Sequence, residues 1–160
     1  MNISLSILFS LLLASVASAG TVSLLVKPDN EKKPGDKTKF DVTRAVWLNV
    51  RVTNSSGTKL DGVTLKWALY SATIKRGADS IAVEKSGEMK ITVDANGRYT
   101  DVATPKVAFT MIPFHTEGSG RRSKQVEASG KKYHGYHVQV ISGDTVLGQA
   151  SSESVKKELK

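Results

Sequence analysis

The chain has 160 residues, with 23 Lys and Arg against 15 Asp and Glu for a formal net charge of +8, and it contains no cysteine. The lack of thiols excludes Cys-ligated zinc, a thiol nucleophile and the disulfide-stapled secreted scaffolds. The basic balance suits weak association with polyanions such as acidic envelope polymers, phospholipid headgroups or nucleic acid, but the acids mixed among the bases favour the plainer reading, solubility.

Residues 1–19 carry an apolar run from Ile7 to Leu13 and then the small-residue triplet Ala17-Ser18-Ala19. That order predicts a secretory signal peptide cleaved after Ala19. The run is well short of the roughly 20 residues a bilayer-spanning helix needs, so no transmembrane helix is expected after cleavage. The segment has no Lys or Arg, which leaves all of the net charge on the exported part. We expect a periplasmic or extracellular protein of bacterial type, with one β domain over residues 20–152 and a polar tail over 153–160. About 140 residues are enough to bury a core without disulfides.

A first strand is expected over 21–27, stopping at Pro28, followed by a charged, locally neutral loop to Asp41 with a turn at Pro34-Gly35. Residues 44–54 read RAVWLNVRVTN. Val46, Leu48, Val50 and Val52 alternate with Trp47, Asn49, Arg51 and Thr53, a strand with the first set inward. Parity puts Trp47 on the outer face, either under the 28–41 loop or as an exposed contact. Asn54-Ser55-Ser56-Gly57 ends the strand and matches the N-glycosylation acceptor pattern.

The stretch 62–71, GVTLKWALYS, has Val63, Leu65, Trp67 and Leu69 on one face. An inward Trp67 at mid-strand brings the largest block of apolar area to the core. Short strands follow at 80–85, with Ile81 and Val83 inward, and at 88–93, separated by Ser86-Gly87. Asp94-Ala95-Asn96-Gly97 reads as a hairpin-type turn. Further strands are expected at 98–103 and, after Pro105, at 106–112, where Val107, Phe109 and Met111 share a face. Residues 113–132 have no periodicity and a net charge of +3, the mark of a functional or disordered loop. Then 131–142 places Tyr136, Val138 and Val140 inward and Tyr133, His137 and Gln139 outward, and Ser142-Gly143 turns into a last strand over 144–151.

Seven or eight short strands at about ten-residue spacing, with no helical period, indicate an all-β antiparallel sandwich. Trp67 in LKWALY and Tyr136 in GYHVQV give the chain a resemblance to immunoglobulin-like and fibronectin type III sandwiches over most of 21–151, without the antibody-type disulfide. It is also similar to uncharacterised exported bacterial proteins that pair a V-x-V-x-N strand with an apolar-x-Trp strand. The resemblance implies a fold and no activity.

No catalytic or metal constellation stands out. His134 and His137 are three apart, on opposite faces of a regular strand, and His115 falls in a loop. Gly118-Ser119-Gly120 lacks the spacing of a nucleophile elbow, and no calcium loop is present. We expect a non-enzymatic module without cofactor, structural or protein-binding in the envelope or extracellular space. Its partner is an unknown protein or envelope polymer rather than a specific nucleic acid. The alternative is binding of an acidic polymer or glycan through two features. One is the basic loop 118–132, where Arg121, Arg122 and Lys124 are candidate anion contacts among glycines. The other is an outer face that gathers Lys66, Tyr70, Tyr133 and His137 if the Trp67 and Tyr136 strands are neighbours.

Overall fold

The computed structural model describes residues 21–33, 40–74 and 79–158. The expected signal peptide, the turn at Pro34-Gly35 and the turn that Lys75-Arg76-Gly77 predicts after the Trp67 strand lie outside the described residues. Ten strands follow in chain order: β1 (Val22–Lys33), β2 (Val42–Asn54), β3 (Leu60–Ile74), β4 (Ser80–Val93), β5 (Arg98–Ala103), β6 (Val107–Ile112), β7 (His115–Glu117), β8 (Lys124–Val126), β9 (Ser129–Ser142) and β10 (Thr145–Ser151). A short helix, α1 (Glu153–Glu158), is the last described element.

Among the described residues, eight strands form one antiparallel sheet in the order β1-β2-β6-β9-β3-β4, with β5 added to β2 and β10 to β9. β1 lies along β10, and β4 along β5, so the sheet folds back on itself as a sandwich-like pair of layers. One layer is β1, β2 and β5, the other β4, β3, β9 and β10, and β6 bridges them at one end. The alternation explains the core. Leu48, Val50 and Val52 from β2 are at most 1% exposed, and they meet Leu65, Trp67 and Leu69 from β3 and Val138 and Val140 from β9. Trp67 is 5% exposed at mid-strand.

Several local expectations change. β1 runs through Pro28 to Lys33, because an edge strand tolerates a residue whose missing N–H faces away from the partner. Residues 80–93 form one strand, and Ser86-Gly87 is no turn. Gly87 pairs with Trp67, and a Cβ there would sit 2.8 Å from the indole Cζ2, so the glycine leaves room for the ring. Asn96 and Gly97 do take positive φ, at 61° and 76°. Their turn is not a hairpin within the sheet, because β4 pairs with β3 and β5 with β2, so it carries the chain between layers.

The end holding that turn is tied shut by Asn54, which is fully buried. Its Nδ2 donates to the carbonyls of Thr58 (2.8 Å) and Val93 (3.4 Å), and its Oδ1 accepts from Ser56 N and Oγ at 3.0 and 2.7 Å. In the folded chain the amide nitrogen of the glycosylation pattern is therefore enclosed. Between β5 and β6, Thr104 continues the ladder along β2. Its N–H donates to Leu48 O at 3.0 Å and its hydroxyl accepts from Leu48 N at 2.9 Å.

Candidate binding site at the hairpin end

The opposite end of the sandwich is shaped by two β-bulges that flank Tyr70. On one side Leu69 pairs with Lys85 and Tyr70 with Val83, which leaves Glu84 as an extra residue in β4. On the other, Tyr70 pairs with Gly135 and Ser71 with Tyr133, which leaves His134 extra in β9. Each extra residue reverses side-chain parity from there to the strand end. Ile81 and Val83 thus share the outward parity of Ala72 and Tyr70, and Val83 is 52% exposed, against the inward expectation. Tyr133 turns inward, opposite Ser71, and meets Phe109 edge to face at 5.7 Å between ring centroids.

The four residues expected on one outer face are therefore not all brought together. Lys66, Tyr70 and His137 share that face, and Tyr133 does not. The face is also partly covered. α1 packs on β9 with Val155 fully buried, and a Cβ at Gly135 would run into Ser152 Oγ and lie 2.8 Å from Val155 Cγ2. His137 Nδ1 lies 2.6 Å from Ser151 Oγ, and burial lowers its pKa from the ordinary 6.5. The stretch expected as a polar tail is thus a structural clasp at its start.

The basic segment is ordered as a projecting hairpin. β7 and β8 pair His115 with Val126 and Glu117 with Lys124. The His115 ring stacks on Phe40 at 3.9 Å and 21°, which anchors the base of the hairpin. Its tip is a 3-10 turn over Gly120–Arg122, and Gly118 is required there: its φ is 82°, and a Cβ would lie 2.9 Å from Arg122 O. Arg121, Arg122 and Lys124 are all exposed, and neither arginine forms an ion pair among the described residues. The hairpin springs from the strand ends where Met111 and Ile112 pair with Gly130 and Ser129.

Beside that junction lies a cavity of about 430 Å3, lined by β1, β2, β6 and the start of β9. Val42, Arg44 and Val46 continue the inward parity of β2, and Phe109 and Met111 pair with Arg44 and Val42. Lys131 and Tyr133 reach the cavity wall because of the His134 bulge. Lys131 Nζ donates to Glu84 Oε2 at 2.8 Å, and Ser71 Oγ donates to the same oxygen at 2.9 Å. The Lys131 bond, with help from Ser71, holds the Glu84 carboxyl below its ordinary pKa. The Tyr133 hydroxyl is buried without a hydrogen-bond partner, and burial pushes its pKa up to about 12. Arg44 is exposed and forms no ion pair among the described residues. The sequence carried a signal for this site that periodicity alone did not single out: Arg44 has the parity of Val46, Leu48 and Val50.

A second hollow of about 400 Å3 lies on the outer face of β1, β2 and β5. It is spanned by Arg51, which is bidentate to Asp101 at 2.8 and 2.9 Å and lies 4.0 Å over the Tyr99 ring. The Arg51 and Asp101 charges in it satisfy one another. Trp47, on the same outer side of β2, lies under Lys106 at 4.5 Å, and Lys106 is held by Glu31 at 2.7 Å.

No group of three or more potential metal ligands occurs among the described residues, and no described helix is long and apolar enough to cross a membrane. No protein-family model matches the chain, and no curated protein does. Among solved structures the chain is similar to one described as "X-ray structure of Northeast Structural Genomics Consortium target SoR45". The identity is 12%, the coverage 82% of this chain and 85% of that one, and the TM-score 0.39. A likeness at that level carries no functional argument.

Proposed function

We infer that the protein is an exported, non-enzymatic binding module of the envelope or extracellular space, immunoglobulin-like in plan, that engages an acidic polymer or glycan through its hairpin end. One observation carries the reading: a two-stranded hairpin holds Arg121 and Arg122 in solvent, with no ion pair to either among the described residues. Guanidinium forks held apart from internal partners keep their donors for external oxyanions. The outer Tyr face supports the reading less, since α1 covers part of it and Tyr133 is absent from it. The immunoglobulin-like plan draws support from the pairing of the Trp67 strand with the Tyr136 strand, Leu69 opposite Tyr136.

The test is titration with a defined polyanion, dextran sulfate, over a salt series. Affinity should fall steeply as ionic strength rises, and changing Arg121, Arg122 and Lys124 together to Ala should weaken it and flatten the salt dependence. Salt-independent binding, or a triple variant equal to the parent, refutes the reading. A protein partner is the second reading, supported by the same projecting shape. Crosslinking from native envelope should then recover one defined protein whose capture is lost in the same variant.

A further inference from the structure

We propose that the cavity at the open end of the sandwich binds a small amphiphilic carboxylate, a medium-chain acyl anion, with its chain against Val46, Phe109 and Met111 and its carboxylate on Arg44. This site is separate from the hairpin tip and goes beyond the polymer-binding reading.

The argument begins with volume. About 430 Å3 holds roughly 14 groups at about 30 Å3 each, the right order for a chain of eight to twelve carbons with its head group. The inward-parity walls are apolar: Pro28, Val42, Val46, Phe109, Met111 and the Tyr133 ring. The charged and amide side chains of the same parity, Asn30, Arg44 and Lys131, are all exposed. An apolar floor with a few convergent polar groups is the usual form of a small-ligand site.

Charge selects the head group. Lys131 is already neutralised by Glu84, and Lys132 is held by Asp79 at 2.8 Å on the other face of β9. Asp29 lines the cavity but pairs with Trp47 in the register, on the outer parity of β1, and its Oδ1 accepts from Asn30 N at 2.8 Å. That leaves Arg44 as the lining cation without an ion pair among the described residues, diagonal in the register to Asn30, which pairs with Val46 across the β1–β2 ladder. One guanidinium fork beside one amide fits one carboxylate. The bulge adds an independent observation. Without His134 as an extra residue, Tyr133 and Lys131 would point to the outer face, and the cavity would lose a wall. Bulges that re-aim side chains occur preferentially at functional positions. The enclosed Tyr133 hydroxyl, left without a partner, is a further sign of a wall built for more than packing.

Decanoate, used below its micellar concentration, is the probe, with decanol as its neutral counterpart and calorimetry as the readout. Decanoate should bind saturably at one site, and decanol about tenfold more weakly. Arg44→Gln should weaken decanoate by about tenfold while leaving decanol unchanged. Met111→Trp, which fills the cavity, should remove binding of both, with its melting temperature recorded to confirm a folded variant. The triple Ala variant of Arg121, Arg122 and Lys124 should bind decanoate like the parent, so this proposal and the polymer reading fail separately. No saturable decanoate binding, equal affinity for decanol, or an unchanged Arg44→Gln variant overturns the assignment. So does tighter binding of a short peptide with an apolar C-terminal residue than of decanoate.

Discussion

Adding a single methyl group at Gly87 tests how the core is assembled around Trp67. A Cβ there would lie 2.8 Å from Cζ2, 3.0 Å from Cε2 and 3.1 Å from Nε1 of the indole. Trp67 is 5% exposed and wedged among Leu65, Leu69 and Val138, so the ring has little room to retreat. β4 ends the strand order, and an edge strand can lift by a few tenths of an ångström. Overpacking costs about 1–3 kcal/mol, and the freedom of β4 places Gly87→Ala at the lower part of that range. An unstrained Gly→Ala change in a strand works the other way, by about 0.5–1 kcal/mol, through the unfolded chain. The net expectation is a loss of about 0.5–1 kcal/mol, or roughly 2–4 °C in melting temperature for a domain of this size.

The decisive measurement is a double-mutant cycle with Trp67→Phe, because the phenyl ring lacks the outer benzo portion whose Cζ2 comes closest to the new methyl group. Trp67→Phe alone destabilises by opening a cavity. In that background Gly87→Ala should become neutral or stabilising, a coupling of about 1–2 kcal/mol measured by urea unfolding followed by circular dichroism. Additive effects within about 0.5 kcal/mol would refute the view that the glycine exists to seat the indole.

Other outcomes follow from the same geometry. Asn54→Ala removes four hydrogen bonds at a fully buried site and should cost about 2–4 kcal/mol in urea unfolding. Val155→Asp places a charge where the side chain is 0% exposed; it should lower the melting temperature by several degrees and speed amide exchange at Gly135 and Tyr70. The depressed pKa of Glu84 means that its ion pair stabilises the fold fully above its ordinary pKa of 4.5 and loses that contribution as pH falls through the lower native value. The gap in stability between the parent and Glu84→Gln should therefore close as unfolding is measured from pH 6 down toward pH 3. His137 has the same sign: its native pKa lies below 6.5, so its contribution is present above that pH and declines below it, a decline that His137→Gln should remove.

The parts of the fold legible in the sequence are those where period-2 alternation runs unbroken. β2 from Val46 to Val52 and β3 from Val63 to Leu69 show inward sets that match the observed core residue for residue. What the sequence did not disclose depends on long-range pairing. Nothing in IAVEKSGEMK marks Glu84 as an extra residue, because a bulge is defined by the strand opposite. The same holds for His134, so Tyr133 faces inward against the outward expectation although its strand is where the alternation puts it. Gly87 has the composition of a turn and the function of a seat for an indole on the preceding strand. The hairpin at 115–126 escaped because its strands are three residues each and its anchor, the stack of His115 on Phe40, joins distant parts of the chain.

The contrast between the two ends of the sandwich explains why binding is sought at one of them. At the Asn54 end the layers are locked by buried hydrogen bonds, and the chain crosses between them in a tight Asn96-Gly97 turn whose N–H groups donate to Ser56 O and Asn54 O at 2.8 and 2.7 Å. Among the described residues no buried side-chain polar atom at that end lacks a hydrogen-bond partner. At the other end β6 bridges the layers through only two pairs on β9, Met111 with Gly130 and Ile112 with Ser129. Gly130, with φ at 102°, would place a Cβ 2.9 Å from Met111 Cα, so the bridge depends on a residue without a side chain. A narrow bridge leaves the inward face of β2 uncovered at Val42 and Arg44, and the bulge turns β9 to wall the gap instead of filling it. Polar inward groups survive there because the layers do not close on them. An Arg44→Leu variant should accordingly keep or raise stability, read as an unchanged or higher urea midpoint, since the site is held open by strand pairing and not by the charge. A substantially lower midpoint would mean that Arg44 is a structural strut and that the cavity is a by-product of packing.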